Sequence, residues 1–214
     1  DKKVFVNIDD KIQEEKTRDI NRITFSTEMD KANVFIKSIT ANPFVNIHFN
    51  NSVIQSHLIG LYNANNINAS ITIGHYFGVS DEDIKNSIES YIPDNNRSQL
   101  LSKNTNEIIL DAYNANPSSM LVALENFIQL EKNNKVIIIG DMFELGNESI
   151  EEHKSIVEYL KSEEETICHF IGKDFYLNKN SKSNHFFYKD FESFVVFLNE
   201  NHFSNNTILI KGSR

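Results

Sequence analysis

From Asn106 onward the chain repeats one pattern, a short apolar run followed by a stretch of helical period. The runs are Ile108 to Leu110, Val136 to Ile139, Ile167 to Ile171, His185 to Tyr188 and Thr207 to Ile210. Helical candidates follow Pro117, run from about Ser149 to Lys161, and cover Phe191 to Asn199. Runs this short, without polar alternation, suit strands buried on both faces. Separated by amphipathic helices, they predict an α/β fold with a mostly parallel sheet and helices on both sides. Such sheets hold their ligands beyond the C-terminal ends of the strands. The loops after the runs are therefore where functional residues are sought.

The first half has a different rhythm. Val4 to Ile8 reads as a strand ending in Asn7, Asp9 and Asp10, whose acids are read as solvated turn residues. After a charged segment from Lys11 to Arg18, strands are predicted at Ile23 to Ser26, Val34 to Thr40, Val45 to Phe49 and Val53 to Leu58. Asn50-Asn51 is a hairpin turn, and this part is expected to be an antiparallel excursion. From Asn63 the period becomes helical, with Ala64, Ile67 and Ile71 on one face. A second helix spans Asp81 to Tyr91, with Ser80 as N-cap and Asp83 as the acid of a capping box. The polar stretch Pro93 to Ser102 marks a boundary, giving domains 1–95 and 96–214.

Composition narrows the classes. A chain of 214 residues, 40% hydrophobic and 24% charged, can bury the core of one large or two small globular domains. A net charge of -9 argues against a general nucleic-acid binder, whereas a nucleotide needs only a few local cations. The single cysteine, Cys168, lies inside an apolar run and reads as a small buried hydrophobe; with no partner in the chain, it suits a reducing cytoplasm. No segment approaches the roughly 18 consecutive apolar residues of a membrane span. The seven histidines show no metal-ligand spacing, and no Gly-x-Ser-x-Gly elbow occurs. The opening DKKVFVN reads as a start in mid-protein.

The most informative stretch is Asn106 to Met120, NEIILDAYNANPSSM, in which a strand delivers Asp111, Tyr113, Asn114 and Asn116 into the loop before a helix. By composition alone, Asn, Asp and Pro there favour ordinary turn chemistry. The stretch is followed by GDMFELG at Gly140 to Gly146 and by KGSR at Lys211 to Arg214, and preceded by GLYNANN at Gly60 to Asn66 and by PDNNR at Pro93 to Arg97. In this order the motifs resemble those of the Mur ligase family. The resemblance covers essentially the whole chain, as the later part of a central ATPase domain followed by most of a Rossmann-like C-terminal domain, expected to be truncated at its end.

The resemblance implies roles residue by residue. Asn63 and Asn66, three apart at a helix start, present carboxamides that can pair with the edge of adenine. Tyr62 stands where the family commonly has histidine. Arg97 would meet the ATP phosphates, and Asp111 the ribose hydroxyls. Tyr113, Asn114 and Asn116 would face substrate, and Lys211 and Ser213 would border the site of the incoming dipeptide. GDMFELG would face the substrates from the same sheet edge, with no chemical step assigned to its acids. The implied activity is ATP-dependent joining of D-alanyl-D-alanine to UDP-N-acetylmuramoyl-tripeptide through an acyl phosphate, in the bacterial cytoplasm, by a monomer. The family's phosphate loop, Gly-x-x-x-x-Gly-Lys-Ser/Thr, does not occur in the chain. It and the Mg2+ ligands are expected upstream of Asp1, so no catalytic or metal-binding residue is assigned here and the chain alone is expected to be inactive. Two alternatives stay open: another Mur-type amino-acid ligase, disfavoured because DAYNANP replaces the Asp-Asn-Pro-Arg motif, and a non-catalytic nucleotide- or peptide-binding derivative.

Overall fold

The computed structural model describes residues 2–213, grouped in two compact units, Asp1–Ile92 and Pro93–Arg214. Arg214 of the KGSR motif lies outside the described residues.

In the first unit, β1 (Val4–Asn7), β2 (Arg22–Ser26), β3 (Val34–Ala41), β4 (Phe44–Phe49) and β5 (Ser52–Ile59) form one sheet in chain order. Only β3, β4 and β5 are antiparallel; β1, β2 and β3 run parallel, which corrects the expectation of an antiparallel excursion. Local pattern encodes a strand's faces but not its partner's direction, and here the connections after β1 and β2 return the chain to the starting edge. The first of them contains α1 (Lys11–Lys16), a helix with no buried residue. With no apolar stripe it left no periodic signal; the Asp10 carboxylate starts it, accepting from the backbone N–H groups of Ile12 and Gln13 at 2.9 and 3.0 Å.

Asp9 is not a solvated turn acid. It accepts from the Ser26 hydroxyl, from the Thr27 backbone N–H at 2.7 Å and from the Thr27 hydroxyl at 2.9 Å, tying the end of β1 to that of β2. Partial burial opposes its ionisation, but these donors outweigh it and lower its pKa.

Two helices follow, α2 (Ala64–Tyr76) and α3 (Asp81–Ser90). Ala64, Ile67 and Ile71, the face expected from the period, join Ile84 of α3 and Phe25, Ile36, Val45, Ile47 and Ile54 of the sheet in one core. Ser80 caps α3 by accepting from the Asp83 backbone N–H. The Asp83 carboxylate takes the Ser80 hydroxyl in return.

One residue of that core is out of place. Asn68 in α2 is 1% exposed, and neither polar atom of its side chain has a hydrogen-bond partner. An unsatisfied buried polar group costs about 1–3 kcal/mol, and leucine, with the same side-chain branching, is also the better helix former. Asn68→Leu is therefore expected to stabilise the first unit by about 1 kcal/mol or more, read as a higher urea midpoint; a lower midpoint would contradict the assignment.

In the second unit six strands are ordered β10-β9-β8-β11-β7-β6. They are β6 (Gln99–Lys103), β7 (Asn106–Asp111), β8 (Lys135–Gly140), β9 (Ile167–Ile171), β10 (His185–Tyr188) and β11 (Thr207–Lys211). All neighbours are parallel except the antiparallel edge pair β6 and β7. The helices are α4 (Pro117–Gln129), α5 (Ser149–Tyr159), α6 (Lys173–Leu177) and α7 (Phe191–Glu200). Val136, Ile138 and Ile208 pack with Phe194 of α7 on one face. The alternating Ile137, Ile139 and Leu209 point to the opposite face and are equally buried.

The α7 face holds a buried histidine. His169 is flanked by the rings of Phe186, Tyr188, Phe194, Phe197 and Phe203, with centroids 5.1 to 5.8 Å away. Its Nδ1 lies 3.1 Å from the Tyr188 hydroxyl, and its Nε2 has no hydrogen-bond partner. Burial pushes its pKa down to about 4. On the neighbouring strand position Cys168 is fully buried, and burial pushes its thiol up to about 12, so it is a packing residue and not a nucleophile at neutral pH.

Candidate functional site

β7 ends at Asp111 and β11 at Lys211, and the two are register partners on adjacent parallel strands. Their side chains form an ion pair, with Lys211 Nζ 2.7 Å from Asp111 Oδ2. The lysine side chain is 2% exposed and the aspartate 15%. The other carboxylate oxygen accepts from the Ser98 backbone N–H at 3.3 Å. Ser98 belongs to a loop strapped against the end of β7, where the Ala112 N–H donates to the Asn96 carbonyl at 2.8 Å. Asn96 and Ser98 both take positive φ, +58° and +50°. The bend turns Arg97 outward, so that its guanidinium lies 3.8 Å from the centre of the Tyr113 ring.

Beyond β11 the Ser213 hydroxyl donates to Asn114 Oδ1 at 3.0 Å, and Lys211 Nζ also reaches the Asn114 carbonyl at 3.4 Å. Six residues singled out in the sequence, Arg97, Asp111, Tyr113, Asn114, Lys211 and Ser213, thus come together at the C-terminal edge of one sheet. Asn116 stands apart from them. Its side-chain oxygen accepts from the Ser119 N–H and the Ser118 hydroxyl at 2.8 and 2.9 Å, making it the N-cap of α4, with Pro117 in the first turn. Sequence reasoning missed Ser98, because its backbone N–H is what meets Asp111 and a backbone donor carries no residue-type signal.

GDMFELG begins on the same edge, at the end of β8, but its first acid is turned inward. Asp141 accepts from the backbone N–H groups of Asp174 and Phe175, both at 3.0 Å, at the start of α6. A Cβ on Gly172 would fall 2.3 Å from the Asp141 carboxyl carbon, and Gly172 has φ +126°, so glycine is required there on both counts. His153, fully buried, accepts from the Met142 N–H at Nε2 and is held at Nδ1 by the Ser149 carbonyl. Asp141, His153 and Asp174 come close enough to suggest a metal site. Both Asp141 oxygens and both ring nitrogens of His153 are held by the chain itself, and the Ser149 hydroxyl donates to Asp174 Oδ2 at 2.6 Å. A cluster that includes a fully buried histidine does not suit Mg2+, which prefers oxygen ligands and retained water. The cluster is a structural clasp.

In the first unit Gly60 takes φ +85°, and a Cβ there would meet the Tyr62 ring at 2.5 Å. After this bend come Asn63 and Asn66. The Asn63 amide donates to the Ile59 carbonyl at 2.7 Å, and the Asn66 amide to Asn63 Oδ1 at 3.3 Å. The two carboxamides share one side of the helix start, as their spacing predicts, with Asn63 buried and Asn66 exposed. Next to them Asn65 accepts from the Asn7 side chain at 3.2 Å, joining the helix start to the end of β1.

Residues 96–214 match the Mur ligase, glutamate ligase domain. The chain belongs to the Mur ligase family. Among curated Mur ligases it is similar to the UDP-N-acetylmuramoyl-tripeptide--D-alanyl-D-alanine ligase of Rickettsia prowazekii, 35% identical over 124 residues, which are 55% of this chain and 27% of that protein. Among solved structures, a UDP-N-acetylmuramoylalanyl-D-glutamyl-2,6-diaminopimelate--D-alanyl-D-alanyl ligase from Acinetobacter baumannii superposes with a TM-score of 0.81 at 24% identity, over 99% of this chain and 48% of its own. MurF of Thermotoga maritima, solved in complex with ADP, superposes with a TM-score of 0.76 at 20% identity, over 99% of this chain and 50% of its own. These likenesses establish the Mur ligase fold. The chain spans about a quarter of the curated relative and about half of each solved structure. Among the described residues no helix is long and apolar enough to cross a membrane.

Proposed function

We propose that this chain is the nucleotide-gripping and dipeptide-side portion of a bacterial ATP-dependent ligase that joins D-alanyl-D-alanine to UDP-N-acetylmuramoyl-tripeptide. Residues 1–95 are the end of its central ATP-binding domain and 96–214 its C-terminal domain. The observation that carries the reading is the convergence of Arg97, Asp111, Tyr113, Asn114, Lys211 and Ser213 on one sheet edge, with the motifs of the family in their order along the chain.

In this reading Asn63 and Asn66 meet the adenine edge and Asp111 takes the ribose hydroxyls. Arg97, exposed and held by the Tyr113 ring, meets phosphate. Asn114 and Ser213 lie toward the peptide substrates, while Asn116, its side-chain oxygen committed to the start of α4, shapes the loop that carries them. The tripeptide's terminal carboxylate attacks the γ-phosphorus of ATP, forming an acyl phosphate and releasing ADP; the D-alanyl-D-alanine amine then attacks the acyl carbon and phosphate leaves. A carboxylate is a poor electrophile, which is why ATP is consumed. The residues of this chain bind and orient, and none is assigned as nucleophile or base. Mg2+ would neutralise charge on the transferring phosphoryl group, with ligands outside the described residues.

The test is phosphate release by the full-length protein given ATP, Mg2+ and UDP-muramoyl tripeptide, with and without D-alanyl-D-alanine. Release that needs both substrates, with a product of the pentapeptide's mass, is expected. No turnover from a folded full-length protein would replace the ligase with a binding protein built on the same fold.

A further inference from the structure

We infer that Lys211 is a positioning residue for Asp111, not a direct receiver of substrate: its buried ammonium fixes the carboxylate that takes the nucleotide's ribose diol. The inference rests on the ribose assignment above.

The geometry leaves the ammonium little else to do. Its side chain is almost fully enclosed, and its contacts are Asp111 Oδ2 at 2.7 Å and the Asn114 carbonyl at 3.4 Å. A substrate carboxylate arriving at Nζ would have to compete with the Asp111 carboxylate already paired to it, leaving a partly buried negative charge unpaired. Arg97, by contrast, is exposed. The two cations are divided by burial, one holding the protein's own acid and the other open to a ligand.

The carboxylate is constrained from both sides. Lys211 engages Oδ2 and the Ser98 N–H engages Oδ1, so neither oxygen can rotate away. Each ionised carboxylate oxygen has two lone-pair sites. One partner on each oxygen therefore leaves one site on each, which is what a vicinal diol requires. A buried ion pair of this kind gains little stability over an apolar pair of equal volume. Its use here is better accounted for by what it presents: an ionised, single-rotamer acceptor at the sheet edge.

The test compares ATP with 2′,3′-dideoxy-ATP, binding each to the full-length protein with Mg2+ by calorimetry. The wild type is expected to prefer ATP by about tenfold or more, the worth of a hydrogen bond to a charged acceptor. Lys211→Met is expected to lose about tenfold in ATP affinity and to bind the dideoxy analogue nearly as before, so that the preference collapses. A merely structural lysine would weaken both nucleotides alike, and equal losses or an unchanged preference would overturn the inference. If Lys211→Met does not fold, Lys211→Gln keeps a donor without the charge, and the same ratio is read there: a partial fall supports the positioning role and equal losses overturn it. A wild type that binds both nucleotides equally would instead overturn the ribose assignment itself, and with it this inference.

Discussion

Replacing Asp111 with alanine is expected to destabilise the second unit by about 3–5 kcal/mol, the usual penalty for leaving the other member of a buried pair as an uncompensated charge. Lys211 cannot swing to solvent to escape, because it is enclosed between the β7 and β11 ends and its side chain is 2% exposed. The double variant Asp111→Ala/Lys211→Met is expected to recover most of that loss, since no charge is then stranded and the methionine fills the lysine's volume. Urea denaturation of the four proteins, followed through the second unit's transition, gives the coupling directly. Additive single and double losses would mean that the pair is not coupled in solution. On the proposed ribose role, the double variant is expected to stay defective with ATP, which would separate the fold from that role of the same carboxylate.

The second large effect concerns acid. His169 titrates near 6.5 when exposed and is held down to about 4 in the folded chain by burial among aromatic rings. A depressed histidine pKa means that the unfolded state binds the proton first. Stability is therefore unaffected well above pH 6.5, falls as the pH drops from about 6.5 to 4, and levels off below. The difference between those values corresponds to about 3 kcal/mol at 1.36 kcal/mol per pH unit. His185, lowered chiefly by burial, adds a loss of the same sign. Denaturation of the second unit at pH 7, 5.5 and 4.5 should show the decline, and His169→Leu should flatten most of it. A slope that survives in His169→Leu would place the acid sensitivity elsewhere.

Much of the second unit was legible because its strands are fully buried and apolar. Val136 to Ile139 and Ile167 to Ile171 needed no partner to be recognised, and the capping sequence Asn116-Pro117-Ser118-Ser119 marked the start of α4. Elements that escaped lack a core-facing signal. β6 is an edge strand whose Leu100 and Leu101 stay over a third exposed and which is held through its backbone pairing with β7. α6 has five residues with one buried side chain, Phe175, and begins where Asp141 receives its first amides. The abundance of Asn, which blurred turn assignments, has its own reason. Among the described residues five of the seven non-glycine positions at positive φ are asparagines, at 50, 96, 104, 134 and 205. Asn is the side chain that enters this region most readily after glycine, and the sequence holds only seven glycines.

The sequence marked most of the residues that meet at the end of β7 and β11, but not how they pair. Spacing placed Asn63 beside Asn66, because three residues along a helix are neighbours. Nothing local could join Asp111 to Lys211, which are a hundred residues apart, or show that Asp141 turns back onto α6 while Asp111 remains at the edge. Both acids follow a buried strand and precede a loop. Their different employment is decided by a chain segment that arrives much later, Gly172 to Phe175 for one and Lys211 for the other.

The place of β11 in the sheet has a bearing on when the pair of Asp111 and Lys211 can form. It is the last strand of the described residues, yet it lies in the interior of the sheet, between β8 and β7. During synthesis β6 with β7, and β8 with β9 and β10, can form only separate halves facing an unfilled slot. Contacts of such long sequence separation are the slow ones to form. Insertion of β11 closes the slot and, in the same movement, delivers Lys211 to Asp111 and Ser213 to Asn114. The joining of the two halves of the sheet and the formation of the pair of Asp111 and Lys211 are therefore one folding event, although the strap of residues 96–98 on the end of β7 needs no β11.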